Sequence, residues 1–203
     1  IPVLGASDYR TYLSQLEVSR GLSQSQIAAL PYMNDNIGST GYYKYHNNTN
    51  WQDKVFNSSV NQNYHLKVRG GDEIAKFGLS VGYLDSKGTV NQTNSKRYTT
   101  RLNAALKLTN KLNVDANLSF VNNIQDQWDQ GLAYKTSPIY LGLTKSPLVT
   151  TNIVDDAGEV SPNLADVDYF NVSNPNAIFR NGFGLNKNYR FFGDLKFNYV
   201  LNK

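Results

Sequence analysis

From Arg97 to Asn110 the chain alternates strictly in polarity. Tyr98, Thr100, Leu102, Ala104, Leu106 and Leu108 take the even positions, and Arg97, Arg101, Asn103 and Lys107 fall between them. Successive side chains of a strand point to opposite faces, so this pattern makes one face oily and the other wet. The same dyad recurs four times. Tyr64, Leu66 and Val68 alternate with His65, Lys67 and Arg69, and Phe77, Leu79, Val81 and Tyr83 with Lys76, Gly78, Ser80 and Gly82. Leu112, Val114, Ala116, Leu118 and Phe120 oppose Asn113, Asp115, Asn117 and Ser119. Tyr189, Phe191, Leu195, Phe197, Tyr199 and Leu201 oppose Arg190, Asp194, Lys196 and Asn198.

Between these strands, Gly70, Gly71 and Asp72 predict a tight hairpin, and Asn110 with Lys111 predicts another. Longer connections run from Asp85 to Asn94 and from Gln127 to Asn186, the latter punctuated by Pro and Asn. Short turns thus alternate with long loops. If the tight turns mark one rim, Tyr64, Tyr83, Tyr98 and Tyr189 share a level near the other, as an interfacial aromatic girdle does. Upstream, Ser7 is placed to cap a helix starting at Asp8. Tyr9, Tyr12, Leu13 and Leu16 recur at helical spacing until Gly21. Residues 31–50 read as loop. The predicted layout is therefore a loop region with one short helix over 1–61, four antiparallel strands over 62–126, a long loop over 127–186 and a further strand over 187–203.

An oily face has two outlets. A water-soluble β-sandwich covers it with a second sheet, whereas an outer-membrane barrel turns it toward lipid and keeps polar groups inside. The length of each segment and the Tyr level favour the barrel. The fold class expected is all-β: an antiparallel transmembrane β-barrel segment with long extracellular loops and one short helix. A soluble β-sandwich module that binds carbohydrate or a protein partner is the alternative. Five strands cannot close a barrel, so the chain is expected to be one piece of a longer polypeptide. No apolar run reaches the ~18 residues of a transmembrane helix. The charge of +4 is spread along the chain and gives no nucleic-acid footprint. With no Cys present, disulfides and thiolate metal sites are excluded.

Three stretches carry a family resemblance: NTNWQDKVF (Asn48 to Phe56), NYHLKVRGGDEIAKFGLSVGYLDSKGTV (Asn63 to Val90) and KRYTTRLNAALKLTNKLNVDANLSF (Lys96 to Phe120). They resemble the barrel of SusC/RagA-type TonB-dependent transporters, and NYRFFGDLKFNYVLNK (Asn188 to Lys203) is similar to a later strand of it. The resemblance implies a large plugged barrel in the cell outer membrane of Bacteroidota that imports a bulky nutrient, glycan or peptide. Its implied partners are a SusD-like surface lipoprotein lid and TonB, which acts through a plug domain. No plug, TonB box or carboxypeptidase-like extension is recognisable in this sequence.

Residues on the wet face, namely Lys67, Arg69, Arg101, Lys107, Asp115, Arg190, Asp194 and Lys196, are expected to line the lumen. Their mixed signs suggest a hydrated interior rather than a site for one charged ligand. Loop aromatics Tyr42, Tyr43, Tyr45, Trp128, Tyr134 and Tyr140 are candidate contacts for substrate or partner. Trp51, in the family-like element, is read as packing. His46 and His65 stand far apart with no thiolate to join them, so no metal or cofactor is expected. Asp155, Asp156, Glu159, Asp166 and Asp168 fit no calcium loop and read as solvated acidic loop. No catalytic constellation is present, and the chain is not expected to be an enzyme.

Overall fold

The computed structural model describes residues 3–127, 135–182 and 184–201. In chain order it shows α1 (Ala6–Ser19), α2 (Gln24–Ala28), α3 (Tyr42–Tyr45), α4 (Trp51–Val55), β1 (Asn61–Gly71), β2 (Ala75–Lys87), β3 (Asn94–Lys107), β4 (Leu112–Asp126), α5 (Pro138–Thr144), β5 (Asn152–Val154), β6 (Val160–Leu164), α6 (Pro175–Asn181) and β7 (Leu185–Tyr199). These elements sort into two units, residues 58–127 with 183–203, and residues 1–57 with 128–182.

The first unit is an antiparallel sheet in the order β1-β2-β3-β4-β7. Its strands run from 11 to 15 residues, and ~9–11 tilted residues cross a bilayer. The register keeps every predicted apolar set on one face. Leu66, Val81, Thr100, Phe120 and Phe191 form one cross-strand row, and Val68, Leu79, Leu102, Leu118 and Gly193 form the next. Tyr64 pairs Tyr83, Tyr83 pairs Tyr98, and Asn122 links Tyr98 to Tyr189. The four tyrosines do occupy one level. Most of this oily face is uncovered: Leu66 is 65% exposed and Phe197 66%. The sheet is open, with β1 and β7 at its edges.

Local chemistry sets both tight turns. Gly71 adopts φ +137°, and Asp72 accepts the backbone N–H groups of Ile74 and Ala75, each at 2.8 Å. These bonds hold the Asp72 carboxyl below its ordinary range. In the β3–β4 turn, Thr109 Oγ1 accepts from Lys111 and Leu112. The strand ends shift slightly from the sequence expectation: β3 spans Asn94–Lys107, and β7 stops at Tyr199, leaving Leu201 outside it.

The second unit corrects the expectation of loops with a single helix. Six helices occur among the described residues, and all lie in it with the hairpin of β5 and β6. Five of them span seven residues or fewer, too short to show an amphipathic period, so they register in sequence only through their caps. Ser23 and Gln26 form a reciprocal capping box on α2. Asn50 caps α4, and Asn174 caps α6. Pro138 and Pro175, which read as loop punctuation, stand at the first positions of α5 and α6, where a missing N–H costs nothing. The predicted short helix starts earlier than expected, with Gly5 rather than Ser7 at its cap, and ends before Gly21 at φ +90°. Its face buries Leu13 and Glu17, while Tyr12 points outward.

A core of Leu13, Tyr32, Tyr45, Trp51, Leu148 and Val149 holds this unit together. Trp51 is 2% exposed and donates its indole N–H to the Ser146 carbonyl at 2.8 Å. Buried among these groups, Lys145 Nζ contacts Asp168 at 2.9 Å and the Val172 carbonyl at 2.8 Å. Desolvation lowers the Lys145 pKa, opposed by that carboxylate.

Candidate functional site

The wet face of the sheet is the candidate site. Register places Lys67, Arg69, Arg101, Lys107, Asp115, Arg190, Asp194 and Lys196 all on this face. Space above it comes from β2, whose wet positions include Gly78, Ser80 and Gly82. With only small side chains at these positions, a cavity of about 520 Å³ opens over Ser80 and Gly82. His65, Arg97, Arg101 and Arg190 line it, together with Asn63 and Thr99. The His65 ring packs over Gly82.

The signs that look mixed along the chain separate in space. Toward the tight turns, Arg69 shares a row with Asp194, and Asp115 is paired with Lys196. Asp194 accepts from the Asn117 amide and Asp115 from the Asn198 amide, both at 3.3 Å. Toward the Tyr level, the lining of the cavity contains three arginines and a histidine and no carboxylate. Asp85 and Asp126 lie near that end on the opposite face, in register with Lys96 and Asn94 of β3. Among the described residues, no carboxylate forms an ion pair with Arg97, Arg101 or Arg190.

The candidate set from sequence leaves out Arg97 and Phe192. The dyad alone could have found Arg97, since it shares its parity with Arg101. Phe192 escapes because it stands on the wet face beside Ser119, against the pattern of its strand.

The loop aromatics meet different fates. Tyr45 is 7% exposed in the core of the second unit, so its ring is not offered to a substrate. This corrects its candidacy; a tyrosine in a short Gly- and Asn-rich stretch gives no hint that a helix will turn it inward. Tyr42 stacks on His46 with ring centres 3.9 Å apart and meets Tyr43 edge-on at 5.3 Å. Tyr140 is 44% exposed on α5. Trp128 and Tyr134 lie outside the described residues. Asp155 holds a turn by accepting from Ala157 and Glu159, Asp156 accepts from the distant Gly41, and Asp168, accepting from Phe170 and Val172, is not solvated but buried against Lys145. Two other titratable groups shift. The Tyr32 hydroxyl is pushed up to about 12 by burial and by the nearby Glu17 carboxylate. Asp35 is lowered, first by its hydrogen bond with His46 and then by the Arg10 charge.

No family model matches the chain. It is 31% identical over 101 residues to the TonB-dependent receptor SusC of Bacteroides thetaiotaomicron, covering 46% of this chain and 10% of that protein. It is 30% identical over 71 residues to the TonB-dependent receptor P3 of Formosa agariphila, covering 35% of this chain and 7% of that one. A solved structure of the RagAB peptide transporter superposes with a TM-score of 0.67 over 99% of this chain and 24% of its own, at 18% identity. The chain is thus similar to SusC/RagA-type TonB-dependent transporters. Its matched stretch spans a tenth or less of these curated relatives. The structural likeness shows that a SusC/RagA-like sequence and the observed sheet agree in fold. Its setting is the outer membrane.

Proposed function

We propose that this SusC/RagA-like chain forms part of the barrel wall of a TonB-dependent outer-membrane importer of a bulky nutrient, glycan or peptide. The observation that carries the reading is the open sheet with an oily face unclaimed by protein, a tyrosine row at one level and charged groups opposite. Additional strands would close the wall, lipid would cover Leu102, Leu118 and Phe197, and the wet face would line the lumen. In the working assembly a plug domain engages TonB, and a SusD-like lipoprotein caps the extracellular mouth. Within such an importer, residues 1–61 and 127–186 are the extracellular face, and Tyr42, Tyr43 and Tyr140 are its candidate contacts.

The soluble sandwich has less support. Among the described residues the other sheet is the β5–β6 pair of 3 and 5 residues, too small to cover five long strands.

Single cysteines test the assignment, because this segment has none of its own. In a cysteine-free full-length protein in intact membranes, Ser119→Cys will react with a charged maleimide, whereas Leu118→Cys, its thiol held un-ionised against hydrocarbon, will resist that reagent. Equal labelling of both by the charged reagent overturns the barrel reading. Nutrient uptake that persists in cells lacking TonB overturns the coupling.

A further inference from the structure

We infer that the cavity over Ser80 and Gly82 is a binding site for an acidic peptide, held by the guanidinium groups of Arg97, Arg101 and Arg190. The inference rests on the importer reading and names its cargo. Three guanidinium groups with no carboxylate in their lining form a centre of uncompensated positive charge. Such groups bind carboxylates through paired N–H donors with strength and direction.

Spacing argues for several carboxylates on one molecule. Arg97 and Arg101 are four residues apart on β3, about 13 Å by strand rise. Arg190 shares a row with Thr99 two strands away, about 9.6 Å by strand spacing. A single small anion satisfies one of these sites and leaves the others. An extended peptide presents side chains of one parity at the same period as the strand itself, so glutamates four residues apart match Arg97 and Arg101. Asn63 and Thr99 supply neutral partners for its amides. The one aromatic residue of the lining, Tyr83, stands by parity on the opposite face, where it packs between Tyr64 and Tyr98. Phe192, on the same face in the row of Arg101, is not part of the lining, so a sugar ring finds no flat apolar platform in the cavity itself, which favours the peptide over an acidic glycan.

The test uses purified full-length protein in detergent and three fluorescent probes: a short peptide alternating Glu and Gly, its Gln counterpart, and an oligogalacturonide of equal charge. Wild type is expected to bind the Glu peptide most tightly, with affinity that falls as salt rises. Arg97→Gln, Arg101→Gln and Arg190→Gln are each expected to weaken that binding about tenfold and leave the Gln peptide unchanged. Arg101→Glu keeps the inference testable if neutral variants fold poorly, since it should raise affinity for a Lys counterpart.

Equal wild-type affinity for the Glu and Gln peptides overturns the site. Oligogalacturonide binding as tight as the Glu peptide, with the same arginine dependence, overturns the peptide assignment. If the glutamine variants leave binding intact but lower the melting temperature of the full-length protein, the arginines serve its own plug and the inference fails. Arginine-dependent binding without TonB-dependent uptake of the same peptide overturns the importer reading and leaves the site standing.

Discussion

Gly71 shows how much a single residue decides in this sheet. Its φ of +137° is one that side-chain-bearing residues rarely adopt, and a Cβ there would run into the Ala75 carbonyl. Gly71→Ala is expected to destabilise the folded protein by about 1–3 kcal/mol, read from thermal unfolding in detergent. The Gly-Gly-Asp sequence advertised this turn, because its chemistry is local. Asp35 is the opposite case: its partners Arg10 and His46 are distant in sequence, and nothing in the chain announced them. Its carboxyl is held below the ordinary 3.8. Such a group stabilises the fold above its unfolded pKa, and that contribution vanishes as pH falls through the folded value. Melting temperatures taken between about pH 5 and pH 2 should therefore drop more steeply for wild type than for Asp35→Asn.

At the scale of elements, legibility followed length. Every long strand was visible because a dyad sustained over many residues is hard to produce otherwise, and register then followed from keeping apolar sets together. Helices of four to seven residues carried no such signal, and Ser-Pro at 137–138 and Asn-Pro at 174–175 passed for loop. Their stability comes from tertiary contacts. Asn174 is buried, caps α6, and donates its amide to the carbonyls of Thr151 and Ala165, each at 2.7 Å. Asn174→Ala leaves both carbonyls without this donor and should cost about 1–3 kcal/mol for each, measured by urea unfolding. Asp168→Ala strands the buried Lys145 ammonium, and a loss of about 3–5 kcal/mol is expected in the same assay.

For the whole molecule, the proposed barrel reading makes depth in the bilayer the controlling variable. Leu118 lies mid-strand on the oily face, between Leu102 and Gly193. Leu118→Arg is expected to cost about 2–4 kcal/mol in a lipid-embedded barrel, whereas Asn117→Arg, on the wet face opposite Asp194, should be nearly neutral; unfolding in lipid vesicles measures both. The chain showed which face is oily, but the sorting of charge on the other face depended on five strands being laid side by side. Arg190 is almost ninety residues from Arg101 in sequence, and only the register makes them neighbours. The two borders of the sheet have a further consequence for biogenesis. Among the described residues, the outward backbone groups of β1 and β7 have no partner strand, which makes both borders templates for pairing with another copy in water. On the proposed barrel reading, those borders must stay shielded until neighbouring strands pair with them.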